Sequence, residues 1–91
     1  MGVLPLELYQ LRYFKTIAET EHFTRAAEVL HVAQPSLSKA ISNLEAELGV
    51  QLFDRGKRSV YLNDYGRALL RRVEHILTEL EEAELELKNM A

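Results

Sequence analysis

At 91 residues the chain makes one domain with a limited core, a size at which a partner subunit often adds stability. Its 47% hydrophobic and 27% charged residues exclude a disordered chain, and with no cysteine there is neither a disulfide framework nor a thiolate metal site. The formal net charge of −3 argues at first against nucleic acid as a partner.

The distribution of charge changes that reading. Residues 1–62 are neutral, with seven Lys/Arg (Arg12, Lys15, Arg25, Lys39, Arg55, Lys57, Arg58) and seven Asp/Glu, while residues 63–91 hold four Lys/Arg and seven Asp/Glu. Local charge at a contact face matters more for nucleic acid than the total. A neutral module holds one site weakly, which favours use as a dimer or a higher assembly. No apolar run approaches the roughly 18 residues of a membrane span. The start, MGVLPLELYQ, lacks the basic region and long apolar core of a signal peptide. A cytoplasmic setting with no membrane partner is the expectation.

The spacing of Leu11, Phe14, Ile17 and Ala18 predicts a first helix from Leu6 to about Glu19, with Pro5 just ahead of it, where proline is tolerated. Tyr9 and Tyr13 project from another side, as two partly exposed aromatics or as a second apolar surface for another helix. Residues 20–24 form a connection. Thr24 is expected to cap a short helix from Arg25 to about Leu30. Ala26 and Ala27 are small enough to let two helices cross closely. Leu30 and Val32 anchor a turn that contains no glycine.

A longer helix begins near Gln34-Pro35 and stops at Gly49, a favourable residue just past a helix end. Ala33 and Gln34 are poor caps, so the backbone N–H groups there are open to another acceptor, such as a phosphate. With about 100° per residue, Ile41, Leu44 and Leu48 cluster within about 40° of Leu37. Pro35, Lys39, Ser42 and Ala46 lie opposite, and Ser36, Ser38 and Asn43 flank them. The first two turns outside the core carry short donors, one cation and no acid, which is what a DNA major groove accepts. The alternative is an ordinary solvated helix face.

Two strand-like runs follow, Val50–Phe53 and Val60–Leu62, joined by Asp54-Arg55-Gly56-Lys57-Arg58-Ser59. Three cations around a glycine make a basic hairpin tip. It is either a solubilising loop or, directly after a helix-turn-helix, a wing that reaches phosphates or the minor groove. Asn63 is expected to cap a long last helix, with Asp64 in its first turn. Gly66 costs a helix about 1 kcal/mol relative to alanine, which points to close packing. Leu69, Val73, Ile76, Leu80, Ala83, Leu87 and Met90 then recur at spacings of 4, 3, 4, 3, 4, 3, a heptad seam read as a surface for self-association, the alternative being one helix folded back on its own core.

No catalytic constellation is present, and no enzymatic activity or cofactor is expected. His22, His31 and His75 are scattered without metal-ligand spacing, and there is no glycine-rich phosphate loop.

Leu11-Arg12-Tyr13-Phe14, Phe23-Thr24-x-Ala26-Ala27-x-x-Leu30, Ala33-Gln34-Pro35-Ser36-Leu37-Ser38, Ile41-x-x-Leu44-Glu45-x-x-Leu48-Gly49, Leu52-Phe53-x-Arg55 and Leu62-Asn63-x-x-Gly66 together resemble the N-terminal domain of LysR-type transcriptional regulators. The resemblance spans roughly residues 6–90. It implies a mainly α winged helix-turn-helix, three helices plus a two-stranded wing, followed by a long linker helix. The expected division is residues 1–62 for the winged helix-turn-helix (motif about 23–42, wing about 50–62) and 63–91 for the linker helix.

By the same resemblance Gln34, Pro35, Ser38 and Lys39 are the base-reading edge of a double-stranded DNA site, with Asn43 on the same exposed flank. Thr24, Ser36 and Ser42 are phosphate contacts. Arg55, Lys57 and Arg58 are wing contacts, with Arg58 reaching the minor groove. Linker helices pair two domains, usually antiparallel, and full-length members form tetramers. A small-molecule effector would act only through a C-terminal sensing domain that this chain does not contain. Ala33 stands where the family often has Ser or Thr, Asn63 where it has Thr, and Lys39 where many members have Arg. A protein-interaction adaptor built from the winged helix and the heptad helix is the second reading, kept open by the acidic tail. A histidine-based metalloregulator is the third.

Overall fold

The computed structural model describes residues 6–91, so the expected role of Pro5 lies outside the described residues. The elements run α1 (Leu8–Thr20), α2 (Phe23–Leu30), α3 (Gln34–Leu48), β1 (Phe53–Arg55), β2 (Val60–Leu62) and α4 (Asp64–Met90). This is a mainly α, winged helix-turn-helix arrangement with a long C-terminal helix.

The core forms where the three short helices, the wing and the start of α4 converge. Phe14 and Ile17 of α1, Ala26 and Ala27 of α2, and Leu37, Ile41 and Leu44 of α3 pack with Leu52, Phe53, Val60, Val73 and Leu77. Phe53 links the layers, its ring centroid 5.5 Å from that of Phe14 and 6.4 Å from that of Phe23. Ala26 and Ala27 are both buried, so α2 lies close against its neighbours, as their size suggests.

Several element ends differ from the sequence expectation, each for a local reason. Helix α1 opens at Leu8 rather than Leu6, because the Gln10 side chain turns back and its Oε1 accepts the Glu7 N–H at 2.8 Å. The Gln10 amide then donates to the Ala40 carbonyl of α3 at 3.4 Å, making this buried polar residue a tie between two helices. Helix α2 begins at Phe23, not Arg25. His22, not Thr24, is its cap, and His22 Nδ1 accepts the Arg25 N–H at 3.1 Å. Histidine is outside the usual capping set. The turn between α2 and α3 does without glycine because His31 adopts the left-handed region, with φ 58°.

The first wing strand is Phe53–Arg55 rather than Val50–Phe53. The Glu45 carboxylate of α3 accepts the Leu52 N–H at 2.8 Å, and the Leu52 carbonyl accepts the Asn63 N–H at 3.0 Å. Residues 50–52 are therefore tied to α3 and to the start of α4 instead of joining the ladder. Arg55 gains a place in that ladder. It pairs antiparallel with Val60, while Asp54 faces Tyr61 and Phe53 faces Leu62. The Val60 N–H donates to Glu21 O at 3.1 Å, anchoring the wing to the α1–α2 corner.

Asn63 caps α4, its Oδ1 accepting the Gly66 N–H at 2.9 Å. Gly66 is buried, and a Cβ there would lie 2.7 Å from Leu62 Cδ2 and closer still to the Leu52 carbonyl oxygen. The close packing inferred from a helical glycine is therefore specific: α4 crosses the Leu52 backbone at this residue. The first half of α4 belongs to the core through Val73 and Leu77. No helix among the described residues is long and apolar enough to cross a membrane.

Candidate nucleic-acid interface

The outward side of α3 presents Gln34, Pro35, Ser36, Lys39, Ser42 and Asn43 to solvent, with Ser38 half-buried among them. Leu37, Ala40, Ile41 and Leu44 turn the other side into the core. The Gln34 side-chain amide donates to Ser38 Oγ at 3.1 Å. That bond steadies both groups and leaves the Gln34 carbonyl oxygen, its second N–H and the Ser38 hydroxyl proton available to a base edge.

The N-terminus of α3 is less open than its weak caps suggest. Ser36 N–H and Leu37 N–H both donate to the Ala33 carbonyl, at 3.0 and 3.1 Å. Pro35 carries no N–H. Among the described residues this leaves the Ala33 and Gln34 N–H groups as the donors at that end without a partner, so the expected set of orphan groups narrows to two.

The wing folds back toward this end. A cleft of about 340 Å³ is lined by Thr24, Gln34, Arg55, Lys57 and Arg58, together with His22, Phe23 and residues of the wing turn. It gathers three cations and contains no acid. The Arg55 guanidinium lies 5.3 Å from the centroid of the Phe23 ring, a cation–π contact that steers it. The tip is closed by Gly56 N–H donating to Ser59 O at 2.8 Å, and Ser59 Oγ donates to the Tyr61 hydroxyl at 2.8 Å. Lys57 and Arg58 occupy the exposed middle of that turn. Among the described residues the ion pairs are Lys15–Glu19 and Arg67–Asp64, so Lys39, Arg55, Lys57 and Arg58 all keep their charge for an outside partner.

Thr24, Gln34 and the wing cations thus come together in one cleft. Ser36, Lys39 and Asn43 lie on the flank of α3 away from the wing, and Ser42 lines a second furrow with Glu45 and Asp54. Sequence reasoning missed His22, Phe23, Glu45 and Tyr61 as supports. The aromatic at position 23 beside an arginine-bearing strand was the one available signal, since the other contacts join residues far apart in the chain.

The heptad residues divide. Val73 is fully buried within its own chain and Leu69 is partly buried against the same core, so the Val73 side chain is not free for a partner subunit. Leu77, absent from the heptad, is buried beside Val73. Core packing takes the first turns of the seam. Ile76 is 46% exposed, Leu87 66% and Met90 74%, with Leu80 half-buried and Ala83 exposed. The open stripe therefore starts at Ile76.

A helix-turn-helix followed by a basic two-stranded wing defines the winged helix-turn-helix class. The family profile of bacterial regulatory helix-turn-helix proteins of the lysR family matches residues 8–67, and the chain belongs to that family. It is 47% identical over 83 residues to the uncharacterized HTH-type transcriptional regulator YybE of Bacillus subtilis, covering 91% of this chain and 28% of that protein. It is 56% identical over 62 residues to the HTH-type transcriptional regulator CatR of Pseudomonas putida, covering 68% of this chain and 21% of that one. The chain thus spans less than a third of the length of these relatives. Among solved structures it is similar to the BenM DBD in its complex with benA site 1 DNA, with a TM-score of 0.89 and 40% identity over 94% of this chain and 100% of that chain. It is also similar to the CbnR DBD in its DNA complex, with a TM-score of 0.87 and 34% identity over 93% of this chain and 98% of that chain.

Proposed function

We propose that this chain is the sequence-reading module of a transcriptional regulator. Helix α3 sits in the major groove of double-stranded DNA, and the wing lies along the adjoining phosphates with Arg58 toward the minor groove. The observation that carries this reading is the acid-free cleft in which Gln34 and Thr24 meet Arg55, Lys57 and Arg58. The likeness to BenM and CbnR domains solved with DNA supports it. Gln34, Pro35, Ser38 and Lys39 read bases, and Asn43 stands at the far edge of that face. Thr24, Ser36 and Ser42 hold phosphates.

Two such modules act together, joined through the open stripe of α4 at Ile76, Leu80, Ala83, Leu87 and Met90. The working unit is a homodimer, and a tetramer in a longer protein that adds an effector-sensing domain. The protein acts in the cytoplasm on chromosomal DNA. Residues 63–91 work as the linker helix, although its first turns also complete the core of the reading module.

The test is a titration of the chain against duplexes selected from a random pool. Log affinity falls linearly with log salt, and the selected duplex outcompetes random duplex at physiological salt. Arg58→Ala weakens binding to both and lowers the salt slope by about 1. Equal affinity for selected and random duplex would overturn the reading.

A further inference from the structure

Helix α3 is bordered by two furrows. One lies on the wing side and carries Ser38, Ser42 and Arg55, but also Glu45 and Asp54. The other lies between α3 and α1 and is about 280 Å³ in volume. Its walls are Tyr9 and Tyr13 on one side and Ser36, Lys39 and Asn43 on the other, with the small Ala40 between them. This second furrow contains no acid. Every polar side chain that lines it can donate a hydrogen bond, and Lys39 adds a positive charge.

The tyrosines are set in place. Their rings meet edge to face, with centroids 5.3 Å apart, and Tyr9 is 48% exposed. The two helices that form the furrow are tied by the buried Gln10, whose amide donates to the Ala40 carbonyl. Neither tyrosine hydroxyl has a hydrogen-bond partner among the described residues, unlike Tyr61, whose hydroxyl accepts from Ser59. The furrow is continuous with the proposed base-reading face, because Lys39 and Asn43 belong to both.

A helix seated in the major groove has a sugar-phosphate strand along each flank. The wing answers one strand, and on the opposite flank only Ser36 has so far been assigned to a phosphate. We propose that Tyr9 and Tyr13, with Ser36, hold the phosphates of that second strand in the α1–α3 furrow, so that α3 is clamped from both sides. This rests on the DNA-reading proposal above. The two clamps differ in kind. The wing contributes charges, whereas the tyrosines contribute neutral donors that fix position without releasing counterions.

The experiment measures Tyr9→Phe, Tyr13→Phe and the double variant in the intact chain, against the duplex the wild type selects from a random pool. Phenylalanine keeps the ring and the edge-to-face contact and removes only the donor. Each single variant is expected to bind about 2- to 10-fold more weakly, the cost of one hydrogen bond, and the double variant more weakly again. The salt slope stays at its wild-type value, in contrast to Arg58→Ala. Neutralising single phosphates as methylphosphonates should locate one or two positions at which wild type and double variant become equal. Wild-type binding with unchanged affinity in all three variants would overturn the clamp and leave the furrow to a protein partner. A tyrosine effect that persists whichever phosphate is neutralised would also overturn it. Absence of wild-type preference for the selected duplex would instead count against the DNA-reading proposal itself.

Discussion

At Gly66 the α4 helix meets the Leu52 backbone carbonyl so closely that a methyl group has no room. Alanine is worth about 1 kcal/mol over glycine in a free helix, while overpacking of a fitted site costs roughly 1–3 kcal/mol. The obstacle is backbone, which cannot swing aside as a side chain can, so the second effect wins. Gly66→Ala should lower the urea midpoint with an unchanged denaturant slope; a raised midpoint would mean that α4 slides freely over residue 52. On the proposed reading face, Ser38 and Lys39 are the residues on which the reading is best tested. An ammonium is a point charge where a guanidinium is a planar fork. Lys39→Arg should therefore sharpen preference at one guanine position by about 1–3 kcal/mol, and Ser38→Ala should relax preference. Competition among single-base variants of the selected site reads both, and uniform loss across all variants would move these side chains to phosphates. The outward placement of Lys39 was legible in the sequence because helical spacing alone separates an inward face from an outward one. His22 was not, because nothing in its residue type announces that an imidazole nitrogen will cap α2.

Elements here are positioned by bonds that span several residues of chain. Glu45 shows what an acid in the last turns of α3 is useful for: its carboxylate accepts the Leu52 N–H and so fixes where the wing begins relative to α3. Glu45→Ala should raise the hydrogen-exchange rate of the Leu52 amide, cost about 1 kcal/mol of stability, and weaken DNA binding through a looser wing. If that amide stayed protected while binding fell, the effect would belong to charge rather than placement. The same bond explains a shortfall of sequence reading. Val50–Phe53 has the composition of a strand, and only the tertiary contact with Glu45 moves the strand forward to Phe53–Arg55. Element existence and order were readable from periodicity and turn chemistry. The wing's register was not, since it depends on partners in α3 and α4.

For the molecule as a whole, α4 serves two masters. Val73 and Leu77 are interior, and Leu80 and Leu87 lie on the stripe left over. A charge placed at each end separates these roles. Leu87→Asp should convert a dimer to a folded monomer in sedimentation velocity, with circular dichroism intact. Val73→Asp should unfold the domain, because a buried unpaired carboxylate is costly. A folded Val73→Asp dimer would contradict the core assignment. The heptad spacing could not make this distinction. A repeat of 4 and 3 describes a stripe but not which turns of it meet the chain's own core.

The capped, uninterrupted α4 has one more consequence. Its first turns are locked against the core and its later turns face outward on a single rigid rod, so the direction in which a second module is held is a matter of phase as well as length. One residue inserted after Leu77 would turn the outward stripe by about 100° and advance it only about 1.5 Å. Seven would return it to within about 20° of where it began. If two modules pair through this stripe as proposed, the separation between the half-sites they read would therefore not drift smoothly with helix length. Insertions of about 7, 11 or 18 residues would restore the phase, while intermediate lengths would leave two intact readers that face the wrong way.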